Sequence, residues 1–199
     1  MTGFDMKHSS GGMGHVENFR LLSGYVDQLP AGTILGVRAL CAIVWPPALD
    51  ESQCLEIDPE NERPERFIAA VESKGRIVAT AQGFPRIVRT EHGELRVLAL
   101  ASVCTLPECR GMGLGQRAVQ TILKQVDEGR FPLALWQTGV PEFYRKMGAV
   151  EVCNRFVNRR HPVHPDRDPF WDTHRMIYVH GGGRGGWPEG IIDLNGLGY

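Results

Sequence analysis

The chain has 199 residues, 42% of them hydrophobic and 23% charged, which is the make-up of a folded globular protein and of neither a disordered nor a fibrous one. Its 22 Lys and Arg balance 23 Asp and Glu to a formal net charge of -1, so nucleic acid has no electrostatic hold on it, and no basic helix marks a membrane surface. The length suits one domain, and five cysteines without CxxC spacing (Cys41, Cys54, Cys104, Cys109, Cys153) argue against a disulfide framework and against a structural zinc site.

Residues 1–15 are rich in Gly, Ser and Met without periodicity, which predicts a loose tail; they lack the apolar region of a secretory signal, which points to the cytoplasm. A strand is expected over 19–26. After Pro30, the residues Ile34, Val37, Leu40, Cys41 and Val44 recur at helical spacing, with Pro30 suited to a first turn and Trp45, Pro46 and Pro47 as the end. The apolar stretch within this helix carries Arg38 and is shorter than the about 20 residues needed to span a bilayer. Residues 48–64 are acidic and unpatterned, and read as a loop. From Arg66 three apolar, β-branched runs separated by Lys74-Gly75 and by a turn around Gly93 predict an antiparallel meander. Next come a glycine-rich turn and a helix with Ala118, Val119, Ile122, Leu123 and Val126 on one face, stopped by Gly129. A strand over 132–136, a helix near 142–147, a strand over 149–156, a polar loop and a last strand over 175–179 follow, before the glycine-rich 181–199.

The chemistry concentrates in Arg110-Gly111-Met112-Gly113-Leu114-Gly115, placed after an apolar strand and at the start of an amphipathic helix. Glycines let the backbone turn sharply and bring its amides close to a ligand, and a helix N-terminus adds partial positive charge, so the segment is suited to a pyrophosphate. It is not a P-loop, because no Gly-Lys-Ser or Gly-Lys-Thr is present. It is not a dinucleotide fingerprint, because it follows a meander, nor a kinase glycine loop, because a helix and not a strand comes after it.

On Arg110, Gly113 and Gly115 the sequence resembles the RxxGxG acyl-CoA motif of the GNAT acetyltransferase superfamily, and Phe143, Tyr144, Lys146 and Gly148 match a second family signature at the expected separation. The resemblance implies an α/β (α+β) GNAT fold: a mixed, mostly antiparallel sheet of about six to seven strands flanked by helices, with a V-shaped opening between the fourth and fifth. It assigns residues 16–180 to one acyltransferase domain and 181–199 to a C-terminal extension packed on it. By similarity the backbone of Val103, Cys104 and Thr105 pairs with pantetheine, and the amides of Arg110, Gly111, Met112, Gly113, Leu114 and Gly115 bind the pyrophosphate. Tyr144 stands where the family often places the acid that protonates departing thiolate; the plainer reading is a packed aromatic. The implied co-substrate is acetyl-CoA, with no metal. The implied acceptor is a small-molecule or peptide amine, with no nucleic acid or membrane as partner, and a homodimer is compatible.

No base is identified: the fourth strand has no internal carboxylate, and Glu91, His92, Glu94 and Glu142 lie only near its start or beside Tyr144. Cys104 reads as a core thiol in preference to a nucleophile, and His161, His164, His174 and Asp166 read as a solvent loop in preference to a metal site. The string WPEGIID resembles the ending of nodulation protein A acyltransferases and, more loosely, an extension of aminoglycoside 2'-acetyltransferases. That makes Trp187 and Asp193, with Trp45, candidate acceptor contacts, against a structural wrap over the sheet. The same resemblance leaves open a long-chain donor on an acyl carrier protein, and the missing base leaves open a non-catalytic acyl-CoA-binding module.

Overall fold

The computed structural model describes residues 18–46 and 65–199, so the 1–15 tail and the 48–64 loop lie outside the described residues. In chain order the elements are β1 (Arg20–Tyr25), α1 (Ala31–Val44), β2 (Phe67–Ser73), β3 (Arg76–Thr90), β4 (Gly93–Thr105), α2 (Leu114–Asp127), β5 (Ala134–Thr138), α3 (Pro141–Arg145), β6 (Val150–Val152), β7 (Arg155–Val157), β8 (His174–Tyr178) and β9 (Ile191–Asp193).

Strands β1 to β4 form the expected antiparallel meander. Lys74 and Gly75 both take positive φ, 50° and 78°, at the two-residue turn between β2 and β3, which suits the twist of a tight hairpin. Helix α2 then carries the chain across to β5, which lies parallel to β4, and β8 and β6 add antiparallel strands beyond it. The architecture is thus the mixed, mostly antiparallel α/β sheet the sequence implies.

Two helices cover opposite faces of the meander. Alternation along β2 sends Ala69 toward α2, where it meets Ala118, Val119 and Ile122, and sends Ile68 and Ala70 toward Val37 and Leu40 of α1. Each side is a buried apolar layer of the kind that supplies most of a domain's stability.

The C-terminal half departs from the sequence reading. The single strand expected over 149–156 breaks at Cys153-Asn154 into β6 and β7, and the glycine-rich extension contributes β9, which brings the sheet to nine strands. The cause is long-range: the Asn154 side chain donates to the carbonyls of Pro188 and Gly190, both at 3.0 Å, and draws the tail in. Strand β7 pairs in parallel with β9, and β9 meets β3 at Arg89↔Asp193. Because only two residues separate β6 from β7, the order β7-β9-β3-β4-β5-β8-β6 curls back on itself around Phe156, Ile177, Ile192 and Leu194.

Candidate active site

Gly113 is the N-cap of α2 and has φ 76°, a left-handed conformation that a side chain with Cβ adopts at a cost of roughly 1–2 kcal/mol. No side chain caps this helix, so the first α2 amides are left to a ligand or water. Gly115 is required for a different reason: a Cβ there would stand 2.8 Å from Thr105 Oγ1, so the helix start can press against the end of β4 only without one. Arg110 and Met112 are exposed, whereas Leu114 anchors the turn in the apolar layer beneath α1. The segment 110–115 is therefore anchored at Leu114 and Gly115 and exposed from Arg110 to Gly113.

Between Thr80↔Cys104 and Gln82↔Ala101, β3 has one residue and β4 has two, Ser102 and Val103. This is a bulge on β4, with Ser102 at φ 51°, and it leaves backbone polar groups outside the ladder. One extra residue also inverts the alternation. Before it Leu98 and Leu100 face α2; after it Val103 takes that face and Cys104 turns toward α1. Cys104 therefore packs 3.9 Å from Cys41 Sγ, and the thiol pairing together with burial holds the Cys104 proton on well above the ordinary range. A buried, protonated thiol is a core residue and not a nucleophile.

Only Leu98↔Ala134 and Ala99↔Leu135 pair β4 with β5. Beyond them the two strands part, and a cavity of about 700 Å³ opens between 100–103 of β4 and 136–138 of β5. Tyr144 closes one wall. It is 5% exposed and its ring centre lies 5.0 Å from that of Trp136. Burial pushes its phenol well above the usual range, a rise that Thr138 offsets in part and the negative charge of Asp172 increases. The bulged strand and the protonated phenol meet at one splayed sheet opening, and the uncapped, glycine-lined helix start follows the end of that strand.

The same stretch answers to a known family: the profile of the Acetyltransferase (GNAT) family matches residues 37–149, more than half of the chain. The chain belongs to the GNAT family. Among solved structures, the GNAT-family N-acetyltransferase YhbS of Escherichia coli, determined in complex with CoA, is similar at TM-score 0.59 and 14% identity, covering 94% of this chain and 93% of that one. Escherichia coli ElaA is similar at TM-score 0.55 and 15% identity over 80% of this chain and 99% of its own. The GCN5-related N-acetyltransferase of Kribbella flavida gives 0.54 and 17%, with 68% of this chain covering 33% of that longer one. At such identities the likeness concerns the fold. No curated protein sequence matches.

The GNAT frame sorts the remaining sequence candidates. Trp45, half exposed at the end of α1, lines the cavity. Trp187 and Asp193 do not. The Trp187 indole donates to Asn154 Oδ1 at 2.6 Å and packs beside Phe156, while Asp193, 6% exposed, accepts from the amides of Arg159 and Asn195 at 3.1 and 2.9 Å. Both side chains are used in fixing the tail and lie outside the cavity lining. Glu94 pairs with Arg89 at the turn, roughly 26 Å from the bulge at about 3.3 Å per residue, and Glu142 pairs with Arg145, so neither is placed as a base. His161 Nδ1 accepts from the amides of Val163 and His164, while His174 lies 2.6 Å from Glu151 and holds that carboxyl below its usual range. The described residues hold no group of three or more His, Cys, Asp or Glu suited to a metal.

Sequence reasoning missed Ser102, Gln137, Trp171, Asp172 and Tyr199. Three of them are joined by one side chain. Gln137, on β5, accepts from the amides of Trp171 and Asp172, each at 2.8 Å, and donates to the main-chain oxygen of Tyr199 at 3.0 Å. The tail is held from the other side by Arg86, 5% exposed, which donates to the carbonyls of Leu194 and Leu197 at 3.1 and 2.9 Å. A polar residue at an even position of an apolar strand was the available signal for Gln137, but its three partners lie 34 to 62 residues away.

Proposed function

We propose that this protein transfers an acetyl group from acetyl-CoA directly to the nitrogen of an amine acceptor. The observation that carries the reading is the α2 start: it has no side-chain cap, is reached through exposed, left-handed Gly113, and packs at Gly115 against the end of the bulged β4. Helix N-termini of this kind favour anions, which fits a CoA pyrophosphate at 110–115. The backbone at Val103, Cys104 and Thr105 is proposed to pair with the pantetheine arm, and the bulge at Ser102 to aim an amide at the acyl carbonyl, where negative charge develops during attack. When bound, acetyl-CoA supplies an activated acyl carbon.

Tyr144 is proposed to assist the departing sulfur. Its raised pKa keeps the phenol protonated throughout the neutral range, which a donor needs. A phenol so weakly acidic gives up its proton less readily than an ordinary one, so its main contribution is a hydrogen bond to sulfur as charge accumulates there. The test is isothermal titration with acetyl-CoA, followed by thiol release against an amine panel. Saturable binding with amine-dependent thiol release supports the reading; binding without thiol release for any amine would reduce the protein to an acyl-CoA-binding module.

A further inference from the structure

Away from the β4 bulge the cavity has a second wall whose chemistry is specific. Its exposed rim carries Trp45, Val140 and Trp171, which are 50%, 61% and 73% exposed. Two exposed tryptophans at the mouth of one opening form an apolar surface that water alone does not explain, and indole faces attract both flat rings and cations. Between them stands a half-buried carboxylate, Asp172, which lines the same cavity and lies close enough to Tyr144 for its charge to act on the phenol. No ion pair to Asp172 is formed among the described residues. Its place is not accidental to a flexible loop, since its own amide and that of Trp171 are both bound by the buried Gln137 oxygen.

We infer that Asp172 is the acceptor-side carboxylate, which draws a primary amine carried on a flat apolar body into the cavity and takes its proton as the amide forms. This rests on the acetyl-transfer reading above and names its acceptor class. The sequence of bonds balances. The unprotonated amine nitrogen attacks the acyl carbon; the C–N bond forms and the C–S bond breaks. Nitrogen, positive after attack, gives a proton to the Asp172 carboxylate, and sulfur leaves as thiolate, hydrogen-bonded by the Tyr144 phenol. Solvent then carries the proton from Asp172 to the released thiolate, so the net products are amide and thiol. Nitrogen is far more acidic after attack than in the free ammonium ion, so a carboxylate is a competent acceptor at that moment. Neutralising Asp172 also removes the charge that, beyond burial, raises the Tyr144 phenol, which strengthens the hydrogen bond from that phenol to the departing sulfur.

The experiment uses the full chain, acetyl-CoA, and two acceptors of one skeleton, 2-phenylethylamine and phenylalanine, which differ by a carboxylate that Asp172 repels. Wild type should favour 2-phenylethylamine in kcat/KM by at least about tenfold. Asp172→Asn should lower kcat/KM for that amine by about 10- to 100-fold, the range expected for losing one charged hydrogen bond, with acetyl-CoA affinity unchanged. Asp172→Glu should recover part of the loss, which a merely structural role would not give. Unchanged kcat/KM in Asp172→Asn, or equal use of phenylalanine, overturns the assignment while leaving the acetyltransferase reading intact. Failure of wild type to bind acetyl-CoA overturns both, and the titration distinguishes the two failures.

Discussion

The 110–115 region and the cavity beyond the β4 bulge are built in opposite ways. The region proposed for the donor comes from one continuous stretch, the end of β4, the 110–115 loop and the start of α2, in which each residue is placed by its immediate neighbours. The cavity rim proposed for the acceptor is assembled from the end of α1, the loop before β8 and the tail, held together by Gln137 and Arg86 across 34 to 111 residues of sequence. Local geometry leaves a local signature, whereas a contact between distant segments leaves none.

If that contrast is right, the largest effect should come from the local half. Gly113→Val forces a β-branched residue into the left-handed region at φ 76° and should weaken acetyl-CoA binding by about 100-fold, since such strain is worth of order 1–3 kcal/mol and the amides are displaced as well. Calorimetry checks it, with a circular dichroism spectrum like wild type showing that the fold persists. Tyr144→Phe should lower kcat by about 100-fold and leave acetyl-CoA affinity unchanged, because only a group acting on developing charge is lost. A fall in affinity equal to the fall in kcat would show instead that Tyr144 packs the donor site.

On the acceptor side, Gln137→Leu removes the bonds that seat Trp171, Asp172 and the Tyr199 backbone. It should raise the amine KM by about tenfold with acetyl-CoA affinity unchanged, a split that steady-state kinetics resolves. Trp187→Phe loses one hydrogen bond, to Asn154, and should cost about 1 kcal/mol of stability in denaturant titration without altering amine KM. Deleting the tail is a poor probe of the acceptor site, because Ile192 and Leu194 are fully buried and the cut would open the curled sheet.

The smallest effect is electrostatic. Tyr178, hydrogen-bonded to Asp127 at 2.8 Å, has its phenol pushed up to about 12, first by desolvation and then by that carboxylate. A folded-state value above the unfolded one of about 10 means stability that is intact below pH 10 and lost as pH rises toward 12. Thermal melts of Tyr178→Phe should therefore fall less steeply over that interval than those of wild type.

The same division governs what the sequence made legible. The meander, α2 and the 110–115 loop follow from periodicity and glycine placement, and they emerged within a few residues of their observed bounds. The bulge at Ser102 did not, because an added residue in a strand is defined by the register of its partner and Ser carries no mark of φ 51°. The apolar residues Trp187, Ile191, Ile192, Leu194 and Tyr199 stand out in a glycine-rich tail, and Ile191 and Ile192 among them form β9, which pairs with β7 and β3. The contribution of the tail to the cavity comes from Leu197, Gly198 and Tyr199, whose position depends on Arg86 and Gln137.

The central claim, that 110–115 binds the donor for acetyl transfer, is tested most directly by titrating acetyl-CoA into wild type and Gly113→Val under identical conditions. The account predicts one saturable site in wild type, with a dissociation constant in the roughly 1 μM to 1 mM range usual for enzyme substrates, and a loss of about two orders of magnitude in the variant. Absence of binding to wild type, or equal binding by a folded Gly113→Val, would contradict it.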